Sequence, residues 1–206
     1  MPPLAVVVPS FALATFLALS IATSDAAEFF AGDYSFSDEL GGFRLLGASG
    51  SGSTDDPIVV VEELTSVNPV TLVIRRQHIR TFDPTRSQLN LTKEVVNRSK
   101  RVWAGFEVEL QEVLNKPSTY SDGLSFKQFA AEPADVGSDS FALNERRFEP
   151  YDRITFQGGS VDPDATVHFR LTITDPTPVR EFYLLQDPNL VSAALPVAGR
   201  SFAARD

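Results

Sequence analysis

Glu107-Val-Glu109-Leu-Gln-Glu112 gathers three carboxylates within a short stretch. On an extended chain, Glu107 and Glu109 share one face, about 6.6 Å apart along it. Two carboxylates at about 5–5.5 Å can act as acid and nucleophile in retaining cleavage of a glycosidic bond. Trp103 falls on the same face of such a strand, where its ring could stack a sugar. A plainer account fits the same residues: an outer sheet face in water, because a half-buried antiparallel strand alternates apolar and polar positions anyway.

Other chemistry is sparse. The two histidines, His78 and His168, lie on separate segments, and no His-Glu-x-x-His is present. No Gly-x-Ser-x-Gly elbow occurs. The absence of cysteine excludes disulfides, thiolate zinc sites and cysteine nucleophiles. Gly47-x-x-Gly50-x-Gly52 has no lysine for a phosphate and is followed by Asp55-Asp56, so it reads as a linker. Asp162-x-Asp164 and Asp55-Asp56 offer oxygens, but a calcium ion needs about six to eight ligands. Asp-Pro-Asp reads instead as a turn. Asn90-Leu-Thr92 and Asn97-Arg-Ser99 match glycosylation acceptors, which matter only on a eukaryotic secretory route. No metal site and no cofactor are expected.

The elements that must position these groups read as strands. Segments 58–64, 70–75, 89–96, 102–110, 152–157, 166–174 and 181–186 are short, rich in β-branched and aromatic residues, and bounded by turn residues. In 102–110 the alternation puts Val102, Ala104, Phe106, Val108 and Leu110 on one face, with Trp103, Gly105, Glu107 and Glu109 on the other. In 166–174 it puts Val167, Phe169, Leu171 and Ile173 inside, with His168, Arg170 and Thr172 outside. Seven such strands predict an all-β, antiparallel two-sheet sandwich. No segment is long and amphipathic enough for a crossover helix, which argues against a parallel sheet.

Between strands, residues 115–140 form a long loop, with capping-box spacing at Ser125-Phe-Lys-Gln128 for one short helical turn. Loops on a rigid sandwich often hold binding residues, and Tyr120, Asp122, Phe126 and Lys127 lie here. The alternative is that Phe126 and Phe129 plug an open end of the core.

At the N-terminus, residues 1–24 carry no charge and end in Ser24-Asp25-Ala26-Ala27. Small residues at Ser24 and Ala26 fit a signal peptide over 1–26, and an uncleaved membrane anchor is the other reading. The expected organisation is then a Phe-rich leading strand or covering arm and a Gly/Ser linker over 27–57, the sandwich over 58–186 and a loose tail over 187–206. The 206-residue chain holds 18 Lys and Arg against 27 Asp and Glu, a formal net charge of −9. That balance argues against nucleic acid, which is held by clustered cations.

Two stretches carry a family resemblance. Val95-Val-Asn-Arg-Ser-Lys-Arg-Val-Trp-Ala-Gly-Phe-Glu-Val-Glu-Leu110 has a strand, an Asn-led turn and a returning strand, and Gly159-Ser-Val-Asp-Pro-Asp-Ala-Thr-Val-His-Phe-Arg-Leu-Thr-Ile173 has a late turn and strand. Together they resemble exported bacterial immunoglobulin-like domains over residues 89–174, with Asp164 where that family usually has Gly. The resemblance implies export, periplasmic or extracellular, and a role in adhesion, spacing or ligand contact, with a protein or a surface glycan as partner. It implies no catalytic residues. Glu107, Glu109 and Glu112 are also similar in spacing to the Glu-x-Asp-x-x-Glu of jelly-roll glycoside hydrolases, with Glu109 where that family has Asp. The expectation is therefore a non-catalytic exported binding or structural module. The alternative is a jelly-roll carbohydrate-active protein: a hydrolase using Glu107 and Glu112, or a sugar-binding module using Trp103.

Overall fold

The computed structural model describes residues 26–78, 88–126, 136–147 and 149–188. The signal peptide expected over 1–26, all of the tail beyond 188, Lys127 and Phe129 lie outside the described residues, apart from Ala26 itself.

The seven expected strands form. They are β4 (Ile58–Leu64), β5 (Val70–Arg76), β6 (Gln88–Asn97), β7 (Phe106–Gln111), β11 (Arg153–Gly159), β12 (Thr166–Thr174) and β13 (Glu181–Asp187). Six more join them: β1 (Glu28–Ala31), β2 (Tyr34–Ser37), β3 (Phe43–Ser49), β8 (Ser125–Phe126), β9 (Gly137–Ser138) and β10 (Phe141–Arg147). One sheet runs β1-β2-β5-β13-β7-β11-β10, the other β3-β4-β6-β12-β8 with β9 also on β12. The architecture is an all-β two-sheet sandwich.

The inner faces meet in an aromatic cluster. Phe169 of β12 stands 4.5 Å from Phe106 of β7, 4.9 Å from Phe156 of β11 and 6.1 Å from Phe141 of β10, between ring centroids. Each such ring removes a large apolar area from water, and tilted or offset contact suits the ring quadrupoles.

Several expectations are corrected. Residues 27–57 are neither a covering arm nor a flexible linker; they supply β1, β2 and β3, so the leading-strand alternative is extended to three strands. β2 pairs with β5, β3 pairs with β4, and Tyr34, Phe36, Phe43 and Leu45 belong to the core. The Gly/Ser run ends β3 and then turns tightly: Ser51 N donates to Asp56 Oδ2 (2.9 Å) and Gly52 N to Asp56 O (2.9 Å). Gly50 has φ 100°, and a Cβ there would sit 2.3 Å from Pro57 O, so the turn requires glycine. One pair, β4 with β6, is parallel. Its crossover passes through β5 in the opposite sheet, so no helix is needed.

The strand expected over 102–110 starts only at Phe106. Trp103 forms an isolated bridge with Val161 instead, and both Trp103 and Phe106 face the core. Inward side chains three residues apart break the two-residue period, so the phase resets at Ala104-Gly105. Thr172, expected outside, is buried. Residues 125–126 form β8 against Ile173 rather than a helical turn; a 3-10 turn stands at Tyr120–Asp122. Asp164 takes φ 65°, the left-handed backbone that explains why glycine would suit that position.

Candidate functional site

On the outer face of β7 the carboxylates are committed to one cation. Residue 153 of β11 pairs with residue 109 and residue 155 with residue 107, so Arg153 lies across from both glutamates. Arg153 Nη1 is 3.0 Å from Glu107 Oε1, and Nη2 is 2.5 Å from Glu109 Oε2. Thr155 Oγ1 donates to Glu107 Oε2 (3.0 Å), and Gln111 Nε2 donates to Glu109 Oε1 (2.8 Å). Glu109 is 2% exposed. A general acid must bring a proton to the substrate, and here a guanidinium stands between the two carboxylates.

Trp103, expected beside them as a platform, is 0% exposed. Its ring packs 5.6 Å from Phe106, and its Nε1 donates to Ser99 Oγ (3.0 Å). Asn97, also buried, ties this turn by donating to Arg101 O (2.7 Å) and Val161 O (3.0 Å). The indole therefore has no face for a sugar. Phe126 is likewise 0% exposed and belongs to the core cluster.

Glu112 is not brought to Glu107. It follows the end of β7 and lines a cleft of about 390 Å³ with Val113, Lys116, Pro117, Thr119, Ser121 and Asp122. A tight turn shapes this cleft: Lys116 N donates to Val113 O (2.9 Å), and Asn115 has φ 62°. Ser118 Oγ accepts from Glu112 N (2.8 Å). Asp122, in the 3-10 turn with Tyr120, accepts from Thr119 N (3.0 Å) and Leu124 N (3.1 Å). Burial pushes the Glu112 carboxyl up, the negative charges of Asp122 and Asp175 push it further, and Lys116 acts against them. Of the expected loop residues, Tyr120 and Asp122 thus belong to the turn at the cleft.

Beneath the same loop lies Asp152, 1% exposed. Its backbone N donates to Ser118 O (3.0 Å), and its Oδ1 accepts from Phe126 N (3.3 Å). Its Oδ2 is buried with no hydrogen-bond partner among the described residues. Burial pushes this carboxyl up to about 7, against hydrogen bonds from Ser125 and Phe126.

The chain matches no protein-family model, no curated protein and no solved structure. Among the described residues, no group of three or more His, Asp or Glu side chains could hold a metal ion, and no helix is long and apolar enough to cross a membrane.

A third group lies outside the reach of motif reasoning. Glu62 of β4, Lys93 of β6 and Gln186 of β13 all point inward and are each 0% exposed. Lys93 Nζ lies 2.6 Å from Glu62 Oε1 and also donates to Gln186 Oε1. Gln186 Nε2 donates to Glu62 Oε2 (3.3 Å). Glu62 and Lys93 belong to one sheet and Gln186 to the other, so the cluster bridges the sandwich through its core. Burial pushes the Lys93 amine down, against the pull of the Glu62 charge. The signal is present in the alternation: a Glu and a Lys occupy positions where strands 58–64 and 89–96 turn inward.

Proposed function

We propose that the protein is a non-catalytic, exported binding or structural module, and that it meets a partner at the cleft of Glu112 and Asp122. The observation that supports this best is the clamping of Glu107 and Glu109 by Arg153 on a face whose tryptophan is in the core. The export reading rests on the uncharged N-terminal run and its small-residue ending. Immunoglobulin-like membership accords with short strands, polar turns and a two-sheet architecture. The cleft combines raised carboxyl density with the apolar Val113 and Pro117, which suits a protein segment presenting an arginine or lysine.

Two measurements test the reading. Incubated with polysaccharides and carboxylic esters, the purified protein is expected to release no product. Turnover that disappears in Glu107→Gln would overturn the non-catalytic reading. Titrated with arginine-bearing peptides, the protein is expected to show NMR shift changes centred on Glu112, Val113 and Thr119. Glu112→Gln should bind roughly tenfold more weakly, the loss of about 1.4 kcal/mol from one charged contact. Shifts that gather elsewhere, or binding unchanged in the variant, would remove the cleft from the reading.

A further inference from the structure

We propose that Lys93 and Gln186 become joined by an amide bond that the protein forms on itself, with Glu62 carrying the proton. The inference is independent of the cleft and of any partner. It rests first on geometry. A single carboxylate touches both nitrogens that the reaction exchanges: Oε1 is 2.6 Å from Lys93 Nζ, the entering nitrogen, and Oε2 is 3.3 Å from Gln186 Nε2, the leaving one. Lys93 Nζ also contacts Gln186 Oε1, which places the amine against the carboxamide it would attack.

The surroundings favour the chemistry. All three side chains are 0% exposed, and the inward neighbours along their strands are Val60, Leu64, Leu91, Val95 and Leu184. In such a place an amine is disfavoured as ammonium, so the neutral nucleophile is within reach. Competing water is excluded, and held reactants gain effective molarities of roughly 10⁵–10⁸ M over free ones. The cluster is a poor choice for stability alone, because a buried ion pair is often matched or beaten by apolar residues of similar volume.

The step balances. The Nζ lone pair of neutral Lys93 attacks Gln186 Cδ, and an Nζ proton passes to Glu62. The tetrahedral intermediate collapses, the Cδ–Nε2 bond breaks with its electron pair on Nε2, and Glu62 returns the proton to that nitrogen. Ammonia leaves, Glu62 is regenerated, and the new Nζ–Cδ amide spans the two sheets. No oxidant, metal or cofactor is consumed. A chain without cysteine would thereby gain a covalent tie across its core.

Mass spectrometry of the folded full-length chain tests this. The expected result is a tryptic map in which no cut occurs after Lys93 and one peptide pair is linked through Lys93 and Gln186, lighter than the two free peptides by one ammonia. On a denaturing gel the linked chain should run ahead of Lys93→Met. Glu62→Gln, if folded by circular dichroism, should yield free peptides only. If that variant does not fold, Glu62→Asp, which withdraws the carboxylate by one methylene, should yield a mixture of linked and free forms. Free Lys93 and Gln186 peptides from folded wild-type protein overturn the proposal, and full linkage in folded Glu62→Gln overturns the role of Glu62.

Discussion

As the solution is taken from about pH 4 to about pH 7, the protein is expected to lose stability, with Asp152 the largest contributor and the raised carboxyls of Glu112 and Asp187 acting in the same sense. The Asp152 carboxyl has a folded value of about 7 against an ordinary 3.8. Within that window the folded chain keeps a proton that the unfolded chain has released, so stability falls as pH rises. Below the window both states are protonated and the full stability is present. Above it both are ionised and the cost is complete. A tenfold difference in acidity between the two states corresponds to about 1.4 kcal/mol, so the whole effect approaches about 4 kcal/mol.

The physical reason is a carboxylate 1% exposed with an oxygen that no described group satisfies. The lowered carboxyl of Asp139 acts in the opposite sense below its ordinary 3.8 and so outside this window, and that of Glu39 acts only up to its ordinary 4.5, at the window's lower edge. Asp152→Asn carries no charge at any pH and keeps an acceptor for Phe126 N. Its denaturation midpoint should be flatter across the window, and the variant should exceed wild type above neutrality. Parallel curves for the two proteins would show that Asp152 is not the group responsible.

Trp103→Ala is expected to cost about 3–5 kcal/mol of folding stability, the range for removing a large buried aromatic. The ring is fully buried on Phe106, which packs in turn on Phe169, so a cavity opens in the cluster that joins the sheets. Trp103→Phe should lose less, because much of the volume remains while the hydrogen bond to Ser99 is lost. Val102→Ala, at a neighbour that is 46% exposed, should change stability by less than about 0.5 kcal/mol. Urea unfolding midpoints measure all three. A Trp103→Ala protein as stable as wild type, with altered sugar affinity, would restore the platform that the sequence suggests.

The strands with sustained alternation are legible in the amino-acid order, because burial of one face forces a two-residue period on the chain. β6 shows this over ten residues. What stays hidden depends on partners far along the chain. β1 and β2 are only four residues long, and β2 takes its place from Ile74 and Val73 across the ladder. Two-residue strands such as β8 carry no period at all. Trp103 lands on the wrong face when alternation is extended back through Ala104-Gly105, where the chain changes phase. Glu107 and Glu109 are recognisable as a pair, but their owner, Arg153, lies 44 residues beyond Glu109. Glu62 and Lys93 sit at inward positions in plain view. They escape notice because charged residues are rarely fully buried and no motif announces this trio.

The position of β13 within its sheet has a consequence for how the molecule is made. The last described strand in the chain occupies the middle of its layer, with β1-β2-β5 on one side and β7-β11-β10 on the other. Until it arrives, two three-stranded flaps face each other across an open slot, each with an unpaired edge. Non-local closure of this kind is slow, because loop entropy is lost before the contacts repay it. A polypeptide synthesised or threaded N-terminus first therefore stays unlatched until residue 187 emerges, and β13 acts as the bolt.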